Sequence, residues 1–333
     1  MQKRAFGRTG WRVNPIGFGA WAIGADWGEV SDRDAEAALN AALDSGVNFI
    51  DTADVYGMGR SEKLIARVLK ARGGRSGPNG ADVIIATKAG RKLSPHVASG
   101  YTVEAITGFV EQSLKNLEVD ALDLLQLHCP PTPVYGNAEL FAGLERLVEA
   151  GKLKYYGVSV QTVDEALTAM QFPIASIQII FNMFRQKPIE TLFDLAKKNQ
   201  VAIIARVPLA SGLLTGKMKP DTQFGKDDHR NYNRHGEMFD VGETFSGVDY
   251  ATALKAVDKL RPVVPKGMPM STVALRWILM YDAVTVAIPG AKNAAQAVAN
   301  VEAVDLSPLS AEQMAVVRKV YDSDIRPLVH HRW

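Results

Sequence analysis

Cysteine is almost absent: Cys129 is the only one in 333 residues. That excludes an intrachain disulfide and a cysteine-rich metal site, and it fits a reducing compartment. Long apolar runs are also missing. No stretch reaches the eighteen residues a membrane-spanning helix needs, and the charged N-terminus is followed by no apolar segment of a secretory signal. The expected location is the cytoplasm. An excess of either charge is lacking too: the net charge of +2 gives no electrostatic case for nucleic acid or an anionic membrane as partner. The six histidines form no His-Glu-x-x-His arrangement, so no metal site is expected. His330-His331 reads as a surface pair.

What is present is ordinary globular material, 47% apolar and 22% charged. Residues 3–14 read as a small hairpin turning at Gly7-Arg8-Thr9-Gly10. Short apolar runs then alternate with amphipathic stretches. Strands are expected at 16–21, 48–54, 83–89, 122–128, 155–160, 177–181, 202–209 and 284–288. Helices are expected at 32–45, 61–72, 103–117, 139–150, 163–170, 190–199, 250–261, 272–281, 293–303 and 311–322. The strands are continuously apolar, as a sheet covered on both faces requires. Glycine follows the helix ends at Ser45-Gly46 and Ala150-Gly151. Eight such units predict an α/β fold, a closed (β/α)8 TIM barrel with an N-terminal capping β-hairpin and extra C-terminal helices; a doubly wound sheet is the alternative. Two segments break the rhythm, a polar turn at 74–81 and a long connection at 210–249. With no repeat or linker in view, residues 1–333 are expected to form one domain.

The polar residues inside the apolar strands carry the chemistry. Asp51 lies near the end of the second barrel strand with Tyr56 just beyond it, Lys88 near the end of the third, and His128 at the end of the fourth. In a parallel barrel these ends are neighbours at the carboxyl-terminal mouth. A carboxylate keeps a nearby lysine charged, and a charged lysine is expected to lower the pKa of a nearby phenol from about 10. Tyr56 would then serve as a proton donor, with Asp51 holding Lys88 and His128 orienting a carbonyl oxygen. Each residue alone has a plain structural reading; the four together favour proton transfer.

The run Asp51-Thr-Ala-Asp-Val-Tyr56-Gly-x-Gly-x-Ser-Glu62, with Ala86-Thr87-Lys88 and Leu127-His128-Cys129-Pro130, resembles the aldo-keto reductase superfamily. Within it the chain resembles bacterial-type members related to the potassium-channel β-subunit branch. Arg8-Thr9-Gly10, Gly17-Phe18-Gly19-Ala20-Trp21, Gly157-Val158-Ser159, Leu213-Leu214-Thr215-Gly216-Lys217 and Ile288-Pro289-Gly290-Ala291-Lys292 extend the likeness in the same order. The resemblance implies a nicotinamide cofactor, NADPH with NADH possible, and interconversion of an aldehyde or ketone with its alcohol. It assigns Tyr56 as general acid, Asp51 and Lys88 as the groups that tune it, and His128 as the residue that positions the carbonyl.

For the cofactor the resemblance points to Ala20, Trp21 and Asp51, and to Ser159 and Gln178 at the carboxamide. It adds Pro208, Leu209, Ala210, Ser211 and Lys217 along the pyrophosphate, and Gly290, Ala291, Lys292, Asn293, Gln296 and Asn300 at the adenosine end. Independently, Lys292 and Asn293 stand where a strand passes into a helix, a place that favours phosphate. Lys292 is the choice for the 2′-phosphate of NADP. Trp21, Trp27, Tyr56 and His128 are expected to line the substrate pocket. The sequence departs from the usual pattern at Val160, at Arg206, which stands where many members stack an aromatic ring on the nicotinamide, and at Ala299. A guanidinium can also stack. Cys129 reads as a small packing residue. Other readings stay open: an alcohol or sugar dehydrogenase working in the oxidative direction, a cofactor-binding regulatory subunit, or a barrel hydrolase using Asp51 and Asp54.

Overall fold

The computed structural model describes residues 2–24, 27–76 and 82–333; most of the polar turn expected over 74–81 falls outside them. A hairpin of β1 (Arg4–Ala5) and β2 (Arg12–Val13) opens the chain, pairing Arg4 with Val13. Eight parallel strands follow: β3 (Phe18–Gly19), β4 (Phe49–Asp51), β5 (Ile84–Ala89), β6 (Leu122–His128), β7 (Leu153–Ser159), β8 (Ser176–Ile180), β9 (Ala202–Arg206) and β10 (Val284–Ala287). They hydrogen-bond in chain order. Parallel bridges from Ile16 to Ala287 and from Gly19 to Gly290 join the last strand to the first, so the sheet closes into a (β/α)8 barrel. Each expected strand is found, but the first and second are shorter than expected, Trp21 already beginning a helix, and β9 stops at Arg206, because Val207 takes a left-handed turn with φ 51°.

The short α1 (Trp21–Gly24) sits at the carboxyl end of β3 against Tyr56, and longer helices lie outside, among them α2 (Asp32–Asp44), α3 (Arg60–Ala71) and α4 (Val103–Leu117). Their capping follows the residues: Ser31 and Thr102 each accept a backbone N–H from the first turn. Apolar side chains of helices and outward strand faces form one core, and a second fills the barrel. Phe6 and Val13 of the hairpin belong to that inner core together with Phe49, Ile84, Leu124 and Ile204. Arg4 donates to the carbonyls of Leu279 at 2.6 Å and Tyr281 at 3.1 Å, just before β10. The hairpin therefore plugs the end of the barrel where the strands begin.

Period-two alternation decides what happens at the other end. The inward series runs Phe49, Asp51 on β4; Ile84, Ala86, Lys88 on β5; Leu124, Gln126, His128 on β6; and Ala202, Ile204, Arg206 on β9, with Ser159 and Gln178 paired across β7 and β8. The inner face is apolar at the hairpin end and polar at the carboxyl end. At Gly157 a Cβ would come within 2.3 Å of the Ser176 hydroxyl, which is why the interior takes no side chain there.

The C-terminal part differs from the expected helix at 311–322. After Ala311–Val320 the chain makes a π-helical turn over Tyr321–Ile325 and a short helix over Arg326–Val329. Trp333 then packs on the 240–247 segment: the Arg185 guanidinium lies 3.8 Å from its ring centre, and its indole N–H donates to Asp240 at 3.1 Å. The tail folds back toward the mouth of the barrel. Among the described residues no helix is long and apolar enough to cross a membrane.

Candidate active site

Lys88 is fully buried at the top of β5. Its ammonium donates to Asp51 at 2.5 Å, to the carbonyl of Thr52 at 2.9 Å and to the Tyr56 hydroxyl at 3.3 Å. Asp51 also accepts amide N–H groups from Gln126 at 3.0 Å and Gln178 at 2.7 Å, and Gln178 donates to the Gln126 oxygen at 3.1 Å. A buried carboxylate is thus satisfied by one cation and two amides. The Tyr56 and His128 rings meet edge to face with centroids 5.8 Å apart. The four residues expected to converge do so.

The loop that delivers Tyr56 is fixed from beneath. Gly24 leaves the room: a Cβ there would lie 2.7 Å from Tyr56 Cβ, and Gly57 has φ +58° and faces the Gly24 carbonyl. Thr52 and Ser61 share a 2.8 Å hydrogen bond between hydroxyls. Buried Glu62 accepts from Thr87 at 2.6 Å and from Asn116 at 2.8 Å. The Ser61-Glu62 pair of the motif therefore ties β4, β5 and α4 together and does not face the mouth.

The electrostatics correct one expectation. The Tyr56 pKa is raised, not lowered: burial pushes it up, and the opposing pull of Lys88 is smaller. The phenol stays protonated, the form an acid needs. Burial alone would lower Lys88, yet Asp51 and Tyr56 together hold it above its ordinary value. His128 is pushed well below the usual range by burial, then by Arg91, Lys88 and Arg206, so it is a neutral imidazole. Its buried Nδ1 has no hydrogen-bond partner.

Around this centre the structure places the remaining predicted residues. Ala20 donates its N–H to the Asp51 carbonyl at 2.8 Å. Trp21 stacks toward Tyr56 at 6.1 Å and meets Trp27 edge-on at 5.5 Å. Ser159 lies beside His128 in register. Arg206 is buried and donates to the Val160 carbonyl at 3.0 Å and to Gln161 at 2.7 Å, while its Nε has no partner. Cys129, expected as packing, lies 3.3 Å from the Ser159 hydroxyl and 3.6 Å from Arg206. Pro208 and Leu209 lead into a bend in which Ala210 and Ser211 both have positive φ. The Ser211 hydroxyl is engaged by the Glu243 carbonyl at 3.0 Å and the Phe245 N–H at 3.1 Å. Lys217 is exposed.

At the opposite rim, Gly290 and Ala291 follow β10, and the Lys292 ammonium donates to the Trp27 carbonyl. Asn293 caps the next helix, Ala294–Val301, by accepting from the Gln296 N–H at 3.0 Å. Gln296 accepts from the Lys292 N–H at 2.9 Å, and Asn300 donates to the Gly290 carbonyl at 3.2 Å. Asn293 and Gln296 thus organise the turn that presents Lys292.

Several residues of the site were not expected. Gln126 could have been found, because it stands two positions before His128 and so shares its face of the strand. Arg91, Gln161, Arg230 and Glu243 give no such signal. Arg91 binds Glu243 through both carboxylate oxygens; Gln161 donates to the same carboxylate at 2.8 Å, and Arg206 lies 3.7 Å from it. Burial opposes this charge, but Arg91 and Arg206 outweigh it and bring Glu243 down to about 2. The 210–249 connection, expected as a long loop, is built of short turns, with His229 packed 4.8 Å from the Trp21 ring and Arg230 4.9 Å above that of Trp27.

The profile of the Aldo/keto reductase family matches residues 15–322. Aldo-keto reductase YhdN from Bacillus subtilis is 32% identical over 305 residues, covering 89% of this chain and 86% of its own. A probable voltage-gated potassium channel subunit beta from Arabidopsis thaliana is 29% identical, covering 93% of each. Among solved structures, a glycerol dehydrogenase from Gluconobacter oxydans superposes with a TM-score of 0.77 at 29% identity, over 97% of this chain and 96% of that one.

Proposed function

The chain belongs to the aldo/keto reductase family and is an oxidoreductase of carbonyl and alcohol groups, and on that premise we propose that it reduces an aldehyde or ketone with NADPH, the proton coming from Tyr56. The observation that carries this reading is the hydrogen-bonded line Asp51–Lys88–Tyr56 at the barrel mouth, with a neutral His128 beside it.

The bound nicotinamide would supply the hydride. The residues present suit such a group. Arg206 Nε and His128 Nδ1 are buried donors or acceptors awaiting a partner. Ser159 and Gln178 stand in register at neighbouring strand ends, where a carboxamide would be met. Lys292 and Arg230 bring two cations to the rim beside Trp27, and burial first, then Arg230, lowers the Lys292 pKa. A 2′-phosphate would relieve that repulsion, which favours NADPH over NADH.

In this account Lys88 holds its charge 3.3 Å from the Tyr56 oxygen. As negative charge grows on the carbonyl oxygen, the phenol gives up its proton and Lys88 stabilises the phenolate left behind. Neutral His128 can donate a hydrogen bond to the same oxygen. Asp51, fixed by two glutamines, keeps Lys88 from withdrawing. The same groups serve the oxidative direction in reverse. The likeness to a channel β subunit keeps a cofactor-sensing role as the second reading, in a chain that acts as one domain. Oxidation of NADPH by a reactive aromatic aldehyde, compared between the native chain and Tyr56→Phe, tests the proposal. Turnover should fall by about 10²–10⁴ in the variant; equal rates would refute the assignment of the acid, and absent turnover with tight NADPH binding would favour the sensor.

A further inference from the structure

The mouth holds a second buried carboxylate, which the proton-transfer chemistry does not use. Glu243 lies on the short turn Val241–Glu243, in the connection after β9, and is nearly inaccessible to solvent. Arg91, three residues beyond Lys88, grips both its oxygens; Gln161 and Arg206 complete the cradle. This is the geometry in which arginine recognises a carboxylate. The cradle adjoins the reacting centre: Arg206 lies 3.6 Å from the sulfur of Cys129, the residue after His128, and Arg91 lies 5.7 Å from the Phe239 ring, whose own centre is 6.0 Å from that of Trp21.

We propose that Glu243 is a resident stand-in for the carboxylate of the substrate, and that this enzyme acts on short carbonyl acids whose acid group displaces Glu243 from Arg91. The proposal deepens the reductase reading and rests on it. The exchange keeps the charge balance: one carboxylate leaves the arginine fork as another arrives, so neither guanidinium is left buried and unpaired. Only the turn carrying Glu243 has to move; Arg206, the last residue of β9, and Arg91, two residues past β5, stay. The resident occupant is a carboxylate, which selects that anion in size and charge. The overall reaction is aldehyde acid plus NADPH plus a proton giving hydroxy acid plus NADP⁺.

Calorimetry with succinate as an unreactive probe, on protein saturated with NADP⁺, separates this idea from a merely structural ion pair. Succinate should bind, succinamide should not, and Arg91→Gln should weaken succinate at least 30-fold. Arg91→Lys, which keeps the charge but loses the fork, should fall between. Glu243→Gln should tighten succinate about tenfold, since the probe no longer competes with the resident carboxylate. A structural pair would make the Arg91 and Glu243 variants change binding in the same direction, and that result, or equal binding of succinate and succinamide, overturns the proposal. In kinetics, kcat/KM for succinic semialdehyde over butanal should exceed about 30 and fall toward one in Arg91→Gln; a native ratio near one also overturns it. If neither aldehyde turned over while succinate binding followed the stated signs, the reductase reading would fail and the acid site would stand.

Discussion

Two buried carboxylates sit at the mouth of this barrel, and they are held in different ways. Asp51 belongs to a strand, and each of its partners, Lys88, Gln126 and Gln178, belongs to another strand of the same sheet. Glu243 belongs to a connection built of short turns, and it reaches across to Arg91 and Arg206. The chemistry is alike, an acid paired with a cation in a dry site. The backing is not. A carboxylate fixed by the sheet suits a permanent electrostatic task, whereas one carried on a loop can be exchanged for a ligand. If Glu243 yields to a substrate acid as proposed, the barrel supplies the reaction and the connections supply selection among substrates.

Breaking the strand-held pair should have the largest effect. Lys88→Met removes the cation beside Tyr56 and leaves Asp51 with only amides, so turnover should fall at least 100-fold and stability by about 3–5 kcal/mol, read by aldehyde reduction and by urea denaturation. Retained activity would show that Lys88 has no part in tuning the phenol.

A third carboxylate, Asp54, sharpens the contrast because it has neither kind of support. It is fully buried, its oxygens have no hydrogen-bond partner, and the Lys92 ammonium stays 4.0 Å away. Burial raises its pKa from 3.8 to about 7, against the pull of Lys92. A raised carboxyl pKa means the folded state binds the proton more tightly than the unfolded chain. Its contribution is fully present below about pH 4 and is lost as pH rises through 7. Asp54→Asn should therefore stabilise the protein by about 2–4 kcal/mol at pH 8 and hardly at all at pH 4, measured by denaturant unfolding at both. Equal effects at the two values would contradict the account.

The rim should respond more mildly. Lys292→Met is expected to raise KM for NADPH about tenfold and leave KM for NADH within a factor of two, the loss of one charge-assisted contact. Equal changes for both cofactors would remove Lys292 from 2′-phosphate recognition. The smallest expected effect is one of pH. With Tyr56 held above its ordinary pKa and His128 well below its own, the reduction rate should be flat between pH 6 and 9. A step near 6.5 that vanishes in His128→Gln would contradict a neutral His128.

The contrast between the two carboxylates also explains what could be read from the sequence. Strand alternation puts Asp51, Lys88 and His128 on the inner face and at the carboxyl ends, so the barrel and its centre are legible in the sequence. Gln126 follows from the same rule, two positions before His128. Glu243, Arg91 and Gln161 come from three different connections, and no periodicity links them; their meeting is a tertiary fact. The direction of the Tyr56 shift differs from the expectation for a related reason: charge proximity follows from spacing, but the depth of burial that outweighs it does not. The short turns within 210–249 and the return of Trp333 onto that segment were hidden likewise, because packing between loops leaves no pattern along the chain.

The central claim is that the mouth of this barrel passes hydride and proton to one carbonyl group. It is tested most directly with NADPH carrying deuterium at the transferable position of nicotinamide C4 and an aromatic aldehyde. The account predicts an alcohol with one deuterium on its carbinol carbon, formed by the native chain and nearly absent with Tyr56→Phe. NADPH bound with no deuterium transferred by the native chain, or transfer undiminished in the variant, would contradict it.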